Sequence, residues 1–168
     1  MTPRTLIVVM GVAGSGKSTV GRAMADRLGL PFVEADDFHS AANREKMAAG
    51  RPLDDTDRKP WVASLCATLA ESEAPVTVLA CSALTPAVRR WLAAGFPGVV
   101  RYILLSGSAE LIGARLAARR GHLVGQALLE SQFAALTPPA DALVTDVARP
   151  VEAVVAELCA ELAEFAPH

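Results

Sequence analysis

The residues best equipped for chemistry are Gly11-Val-Ala-Gly-Ser-Gly16-Lys17-Ser18, which satisfy G-x-x-x-x-G-K-[ST] at every fixed position and are followed by Thr19. Gly11, Gly14 and Gly16 let the backbone curl until successive N–H groups, those of Ser15 and Thr19 among them, converge on phosphate oxygens. The helix that starts there turns its free N–H groups and positive dipole end toward the same anion. Lys17 adds a mobile charge for the β- and γ-phosphates, and Ser18 offers a hydroxyl to Mg²⁺. The chemistry implied is the binding of a purine nucleoside triphosphate, ATP, and transfer of its γ-phosphoryl group.

A second group is acidic. Glu34, Asp36 and Asp37 end an apolar run, Phe32 to Asp36, that reads as a strand, and the two-residue spacing of Glu34 and Asp36 puts them on one side of it. A kinase acting on a hydroxyl needs a carboxylate to orient that hydroxyl and take its proton, and an acid near Mg²⁺ or its waters. Asp36 is assigned the first task. Glu34, directly or through water, or Asp37 takes the second, and Asp37 also suits a helix cap.

Cations and short polar groups follow. His39, Asn43, Arg44 and Lys46, then Arg51, Asp54, Asp55, Asp57 and Arg58, read either as a solvated helix face and polar loop or as contacts for a small polyhydroxy acid. Arg115 and Arg119 lie four apart on one helix face, with Arg120 beside them. Such arginines either close over a triphosphate or stabilise a helix C-terminus. His122, after Gly121, is an acceptor-side lid contact or a loop histidine. Trp61 and Trp91 read as packing residues.

The elements that must position these groups alternate in type. Leu6 to Met10 is a continuous apolar run, as in a strand buried on both faces. Val20, Met24 and Leu28 mark one face of the following helix, which Gly29 and Pro31 close. A short helix spans residues 41–49, and Pro60 sits in the first turn of the next, striped by Trp61, Leu65 and Leu69. Strands follow at Val76–Ala80, Val99–Leu105 and Ala142–Asp146. Helices open at Pro86 and Pro150, and Arg115 and Arg119 ride the one between them. A further helix carries Leu128, Leu129 and Phe133. Alternating strands and helices predict an α/β fold with a parallel sheet, whose ligands gather beyond the carboxyl ends of the strands. Residues 1–168 read as one domain.

Composition narrows the function. A net charge of -2 gives no whole-protein basic field, so bulk nucleic-acid binding is disfavoured. The first apolar run is too short to span a bilayer, which argues against a membrane role. Cys66, Cys81 and Cys159 are odd in number and widely spaced, and suit reduced thiols in the cytoplasm.

One long stretch is far more specific than the phosphate loop. Ala35-Asp36-Asp37-Phe38-His39, Asn43, Lys46-Met47, Gly50, Pro52-Leu53-Asp54-Asp55, Asp57-Arg58 and Pro60-Trp61 closely resemble the P-loop gluconokinases, which carry G-D-x-x-H and N-x-x-K-M-x-x-G-x-P-L-x-D-x-D-R-x-P-W. Cys81-Ser82-Ala83-Leu84 matches their C-S-A-L segment. Arg120-Gly121-His122 and Leu129, Ser131-Gln132-Phe133 and Leu136 match R-x-G-H and L-x-S-Q-F-x-x-L. The resemblance implies a P-loop kinase fold with five parallel strands in the order 2-3-1-4-5, helices on both faces, a substrate-binding insert at about 37–60 and a small helical lid at about 115–130. It implies transfer of the γ-phosphoryl of ATP to the 6-hydroxyl of D-gluconate. By the same resemblance Asp36 is the base, and His39, Lys46, Arg58, Ser82, Arg89, His122 and Gln132 are acceptor-side residues. Arg119 is the lid cation, Asp146 to Pro150 flank adenine, and the protein is a homodimer.

The chain departs from the family pattern at Ala35, where a glycine is usual, and at Glu34, where an aspartate is common. Thr85 and Val88 replace a lysine and a tyrosine after C-S-A-L, and Leu123-Val124 replace an aromatic and a proline in the lid. Two other readings compete. Shikimate kinases use the same architecture but expect a glycine triplet where this chain has Cys81-Ser82-Ala83. A nucleotide-dependent switch would order loops for a partner, whereas here the insertions are polar and arginine-bearing.

Overall fold

The computed structural model describes residues 2–119 and 125–167. Five strands, β1 (Arg4–Met10), β2 (Phe32–Glu34), β3 (Val76–Ala80), β4 (Gly98–Ser106) and β5 (Leu143–Asp146), form one sheet in the order β2-β3-β1-β4-β5. Every pairing is parallel. The strand order and the layering match the sequence-based expectation.

Central β1 shows why its run from Leu6 to Met10 is continuously apolar. Leu6, Val8 and Met10 face one way, into a core with Trp61, Leu65 and Leu69 of α3 (Asp55–Glu71) and Leu92 of α4 (Pro86–Gly95). Ile7 and Val9 face the other way, against Val20 and Met24 of α1 (Lys17–Leu28) and Val154 and Leu158 of α7 (Val151–Glu161). With helices on both faces, the stretch Leu6–Met10 is apolar at every position and the period-2 alternation disappears. Full burial of such a side chain contributes about 1.5–3 kcal/mol. A third, smaller cluster joins Val12 and Leu84 to Ile112 and Leu116 of α5 (Ala109–Ala117) and Leu129 of α6 (Gly125–Ala135). It seats α5 and α6 on the outer arm of the glycine loop.

Three local expectations are corrected. The second strand ends at Glu34 rather than Asp36, because the Glu34 side chain accepts from the Asp36 N–H and starts a 3-10 turn over Ala35–Phe38. Glu34 and Asp36 are therefore not same-side residues of one strand. Pro60 lies inside α3, not in its first turn. The helix starts earlier because Asp54 and Asp57 form a reciprocal capping box. Arg119 does not ride α5, which stops at Ala117. The Arg119 N–H bonds back to the Leu116 carbonyl, just past the cap at Ala118. The short helix α2 (Ala41–Ala48) lies where expected and is capped by the Ser40 hydroxyl. Among the described residues no helix is long and apolar enough to cross a membrane.

Candidate active site

The glycine loop joins buried β1 to α1 and holds three glycines at positive φ: 152° at Gly11, 79° at Gly14 and 98° at Gly16. Space reinforces the choice at two of them. A Cβ on Gly14 would sit 2.6 Å from Leu116 Cγ, and one on Gly11 would sit 3.0 Å from the Leu105 carbonyl. The loop is thus pressed between β4 and α5, with only its inner rim open. Lys17 Nζ donates to the Val12 carbonyl at 3.0 Å, folding back over the loop. Burial lowers the Lys17 pKa, and the negative charges of Asp36 and Glu34 oppose that shift. The Ser15 hydroxyl is buried in the loop without a hydrogen-bond partner among the described residues.

The Ser18 hydroxyl donates to Glu34 Oε2, joining the start of α1 to the end of β2. This pair fits Mg²⁺, a hard cation that is generally held by one or two protein oxygens together with waters and phosphate oxygens. Among the described residues no group of three or more His, Cys, Asp or Glu forms a protein-only cage.

A cavity of about 340 Å³ opens between the loop and the insert. Its donor-side wall includes Gly14, Gly16, Lys17, Ser18, Thr19 and Arg119. Asp36, His39, Arg58 and Ser82 also line the cavity, and Gln132 lines it from α6 beside the loop. Among these, the Asp36 side chain is 73% exposed and faces the opening, whereas that of His39 is only 5% exposed. His39 stacks on Trp61 with ring centroids 4.2 Å apart and planes inclined by 17°. Trp61 Nε1 in turn donates to the Ala35 carbonyl at 2.7 Å, tying α3 to the 3-10 turn that carries Asp36. Arg58 pairs with Asp55 at 3.3 Å. Lys46 pairs with Asp57 at 2.6 Å, and that hydrogen bond holds the Asp57 carboxyl below its ordinary value.

Other sequence-predicted residues lie outside the cavity wall. Arg89 donates to the Ala83 and Thr137 carbonyls, each at 2.7 Å, clamping α4 to the segment after β3 and to the segment after α6. Arg115 donates to the Val147 carbonyl at 2.6 Å, which joins α5 to the loop after β5. Pro150 caps α7 at the end of that loop. Gly11, Ser15, Glu34 and Lys46 are not among the residues that line the cavity. Gln132 reaches across from α6 to the Ala13 N–H. His122 and Arg120 lie outside the described residues.

Three functional positions were poorly visible in sequence. Asn43, which the sequence leaves open between a solvated helix face and an acceptor contact, is 5% exposed and bonds both His39 and the Asp57 carbonyl. Trp61 packs, as expected, but it also lines the cavity and carries the His39 ring. Thr85, where the family has a lysine, caps α4 through the Val88 N–H and lines the cavity together with Val88. Only the S/T-x-x spacing before a helix signals the cap. Ala83, beside them, is buried at a φ of 44°, a left-handed conformation that sequence does not announce for alanine.

A parallel sheet in the order 2-3-1-4-5, with a phosphate loop at the carboxyl end of its central strand and an acid-bearing cleft opposite, defines a P-loop kinase. A family model described as an AAA domain matches residues 6–139. The thermoresistant gluconokinase of Escherichia coli (strain K12) is 41% identical over 157 residues, covering 90% of this chain and 89% of that one. A crystal structure of a gluconokinase from Sinorhizobium meliloti 1021 superposes with a TM-score of 0.85 at 40% identity, covering 99% of this chain and 95% of that one. The chain belongs to the gluconokinase family. Shikimate kinase from Aquifex aeolicus, at 17% identity and a TM-score of 0.56 over 95% of this chain and 96% of that one, shares the fold.

Proposed function

We propose that this kinase transfers the γ-phosphoryl group of ATP to the 6-hydroxyl of D-gluconate, giving 6-phospho-D-gluconate. The observation that carries the reading is that Lys17, at the start of the helix after β1, and Asp36, in the turn after β2, line one cavity. In this reading the loop amides and Lys17 grip the triphosphate. Arg119, whose charge is felt at Lys17, offsets the charge spread over the transferring group. Asp36 orients the acceptor alcohol and takes its proton as the oxygen attacks phosphorus and the bond to the β-phosphate oxygen breaks. Arg58, His39 and Ser82 supply one cation and short polar groups for the carboxylate and hydroxyls of a sugar acid.

Mg²⁺, held beside Ser18 and Glu34, would screen the phosphate charge. Arg115 and the loop from Asp146 to Pro150 flank the adenine, and Lys46 and Arg89 act on the acceptor by shaping its wall. Residues 1–168 work as one catalytic domain with an insert at about 37–60 and a lid at about 115–130. Three buried, unpaired thiols suit a cytoplasmic setting. A homodimer is carried by the resemblance to the family.

The decisive assay couples ADP release to gluconate, shikimate and nucleoside monophosphates offered separately. Gluconate alone should be turned over. Turnover of shikimate with gluconate inert would reverse the substrate, and hydrolysis that no acceptor stimulated would point to a nucleotide-dependent switch.

A further inference from the structure

The polar network around His39 fixes the position of its proton. Asn43, on α2, places its side-chain nitrogen 3.1 Å from the Asp57 carbonyl oxygen. A carbonyl only accepts, so that atom is the NH₂ group and the amide orientation is settled. The same NH₂ lies 3.3 Å from His39 Nδ1. Its second hydrogen is therefore directed at Nδ1, which must accept and carry no proton. A neutral ring so constrained is protonated at Nε2, and Nε2 lies 3.8 Å from Asp36 Oδ1 at the cavity. An imidazolium would set two donors against each other at Nδ1.

We propose that Asn43 is a positioning residue that fixes His39 as the neutral Nε2–H tautomer, so that the ring presents a hydrogen-bond donor, and not a base, beside Asp36. The remaining surroundings agree. The Trp61 face covers the ring from α3 and adds no charge. Arg44, on α2, donates to the His39 and Asp36 carbonyls and disfavours a second cation. Burial pushes the imidazole below its ordinary value, with Asp36 opposing and Arg44 reinforcing that shift. Asp57 turns its carbonyl toward Asn43 while its carboxylate is paired with Lys46. Asp36 is thereby left as the group that can receive a proton, and His39 donates to an oxygen of the bound acceptor, since Asp36 Oδ1, at 3.8 Å, lies beyond hydrogen-bond distance. The tautomer follows from the contacts of Asn43; that the donor serves a sugar acid rests on the gluconate reading.

The test is a long-range ¹H–¹⁵N correlation spectrum of the nucleotide-free protein. The chain has three histidines, so His39→Gln assigns the relevant signals. At neutral pH the His39 Nε2 should resonate as protonated and Nδ1 as unprotonated. Asn43→Asp, whose carboxylate can only accept at Nδ1, should move the proton to Nδ1. Asn43→Ala should leave a mixture. A protonated Nδ1 in the unmodified protein would overturn the proposal without any variant, as would an Asn43→Asp spectrum identical to it. For gluconate, kcat/KM should fall about tenfold in Asn43→Asp, the effect of losing one hydrogen bond, with the KM for ATP unchanged. A switched tautomer with unchanged acceptor kinetics would overturn the donor role. If the unmodified enzyme did not phosphorylate gluconate, the substrate reading would fail, and the spectrum would still decide the tautomer.

Discussion

The side-chain oxygen of Gln132, on α6, accepts a hydrogen bond from the backbone N–H of Ala13 at 2.6 Å. Ala13 and Phe133 also pack on the cluster that joins the loop to α5 and α6. One glutamine thus braces the outer arm of the phosphate loop from the lid side. Gln132→Ala should weaken ATP binding about tenfold, the usual consequence of deleting one well-formed hydrogen bond at a site, measured by titration with a non-hydrolysable analogue in the absence of acceptor. Tighter binding would mean that the amide oxygen competes with phosphate for the Ala13 N–H.

Asp36 is exposed at the cavity and belongs to a turn anchored by the Trp61–Ala35 hydrogen bond. Asp36→Asn keeps the shape and removes the base. It should retain nucleotide affinity and lose about 10²-fold or more in kcat, the range general-base catalysis supplies. Steady-state kinetics beside analogue titration separate the two effects. Transfer surviving within a few-fold would remove Asp36 from the role of base.

Arg89 bonds two carbonyls through the two terminal nitrogens of one planar guanidinium, Nη1 to Ala83 and Nη2 to Thr137. Lysine keeps the charge but not the planar fork. Arg89→Lys should lower stability by about 1–2 kcal/mol, read from the urea midpoint. It should also raise the KM for the acceptor, because the Ala83 carbonyl it anchors adjoins Ser82 and Leu84 on the cavity wall.

Two groups give stability an acid limb in different windows. The folded His39 pKa lies below its ordinary 6.5 because of burial. As pH drops below 6.5 the unfolded ring binds a proton that the folded ring resists, so stability declines until the folded value is passed. The folded Asp57 pKa lies below its ordinary 3.8, chiefly through its bond to Lys46. Its contribution is present above 3.8 and lost as pH falls through the folded value. Denaturation series at stepped pH should show the first decline flattened in His39→Gln and the second in Asp57→Asn.

All three thiols are buried, and burial raises the pKa of each, that of Cys81 to about 12. Thiolate, not thiol, is the reactive form. Iodoacetamide at pH 8 should therefore leave the native protein unlabelled and label three cysteines after unfolding in urea, as read by intact mass. Rapid labelling of Cys81 in the folded state would contradict its place in the core.

Much of this molecule could be read from its residues in order. The run Leu6–Met10, the glycine loop and the Val20, Met24, Leu28 stripe are local patterns, and local patterns dictate a strand, a turn and an amphipathic helix wherever the chain places them. Strand alternation with helices then implies a parallel sheet, and the long insert pattern carries the family. The errors were also local: a carboxylate capping a backbone N–H ended β2 at Glu34, and a capping box started α3 before Pro60. Side-chain hydrogen bonds compete with propensity at such boundaries, and residue type alone does not say which wins.

What only the tertiary structure decided is which polar groups meet. Lys46, Arg89 and Arg115 are as cationic in sequence as Arg58 and Arg119, yet only the latter two line the cavity. Asn43 reads like its charged neighbours until α2 and α3 pack together and close it off from water beside His39. The physical reason is that composition and periodicity fix the face a residue prefers. A hydrogen bond between residues far apart in the chain exists only once the core has set the distance between the elements that carry them.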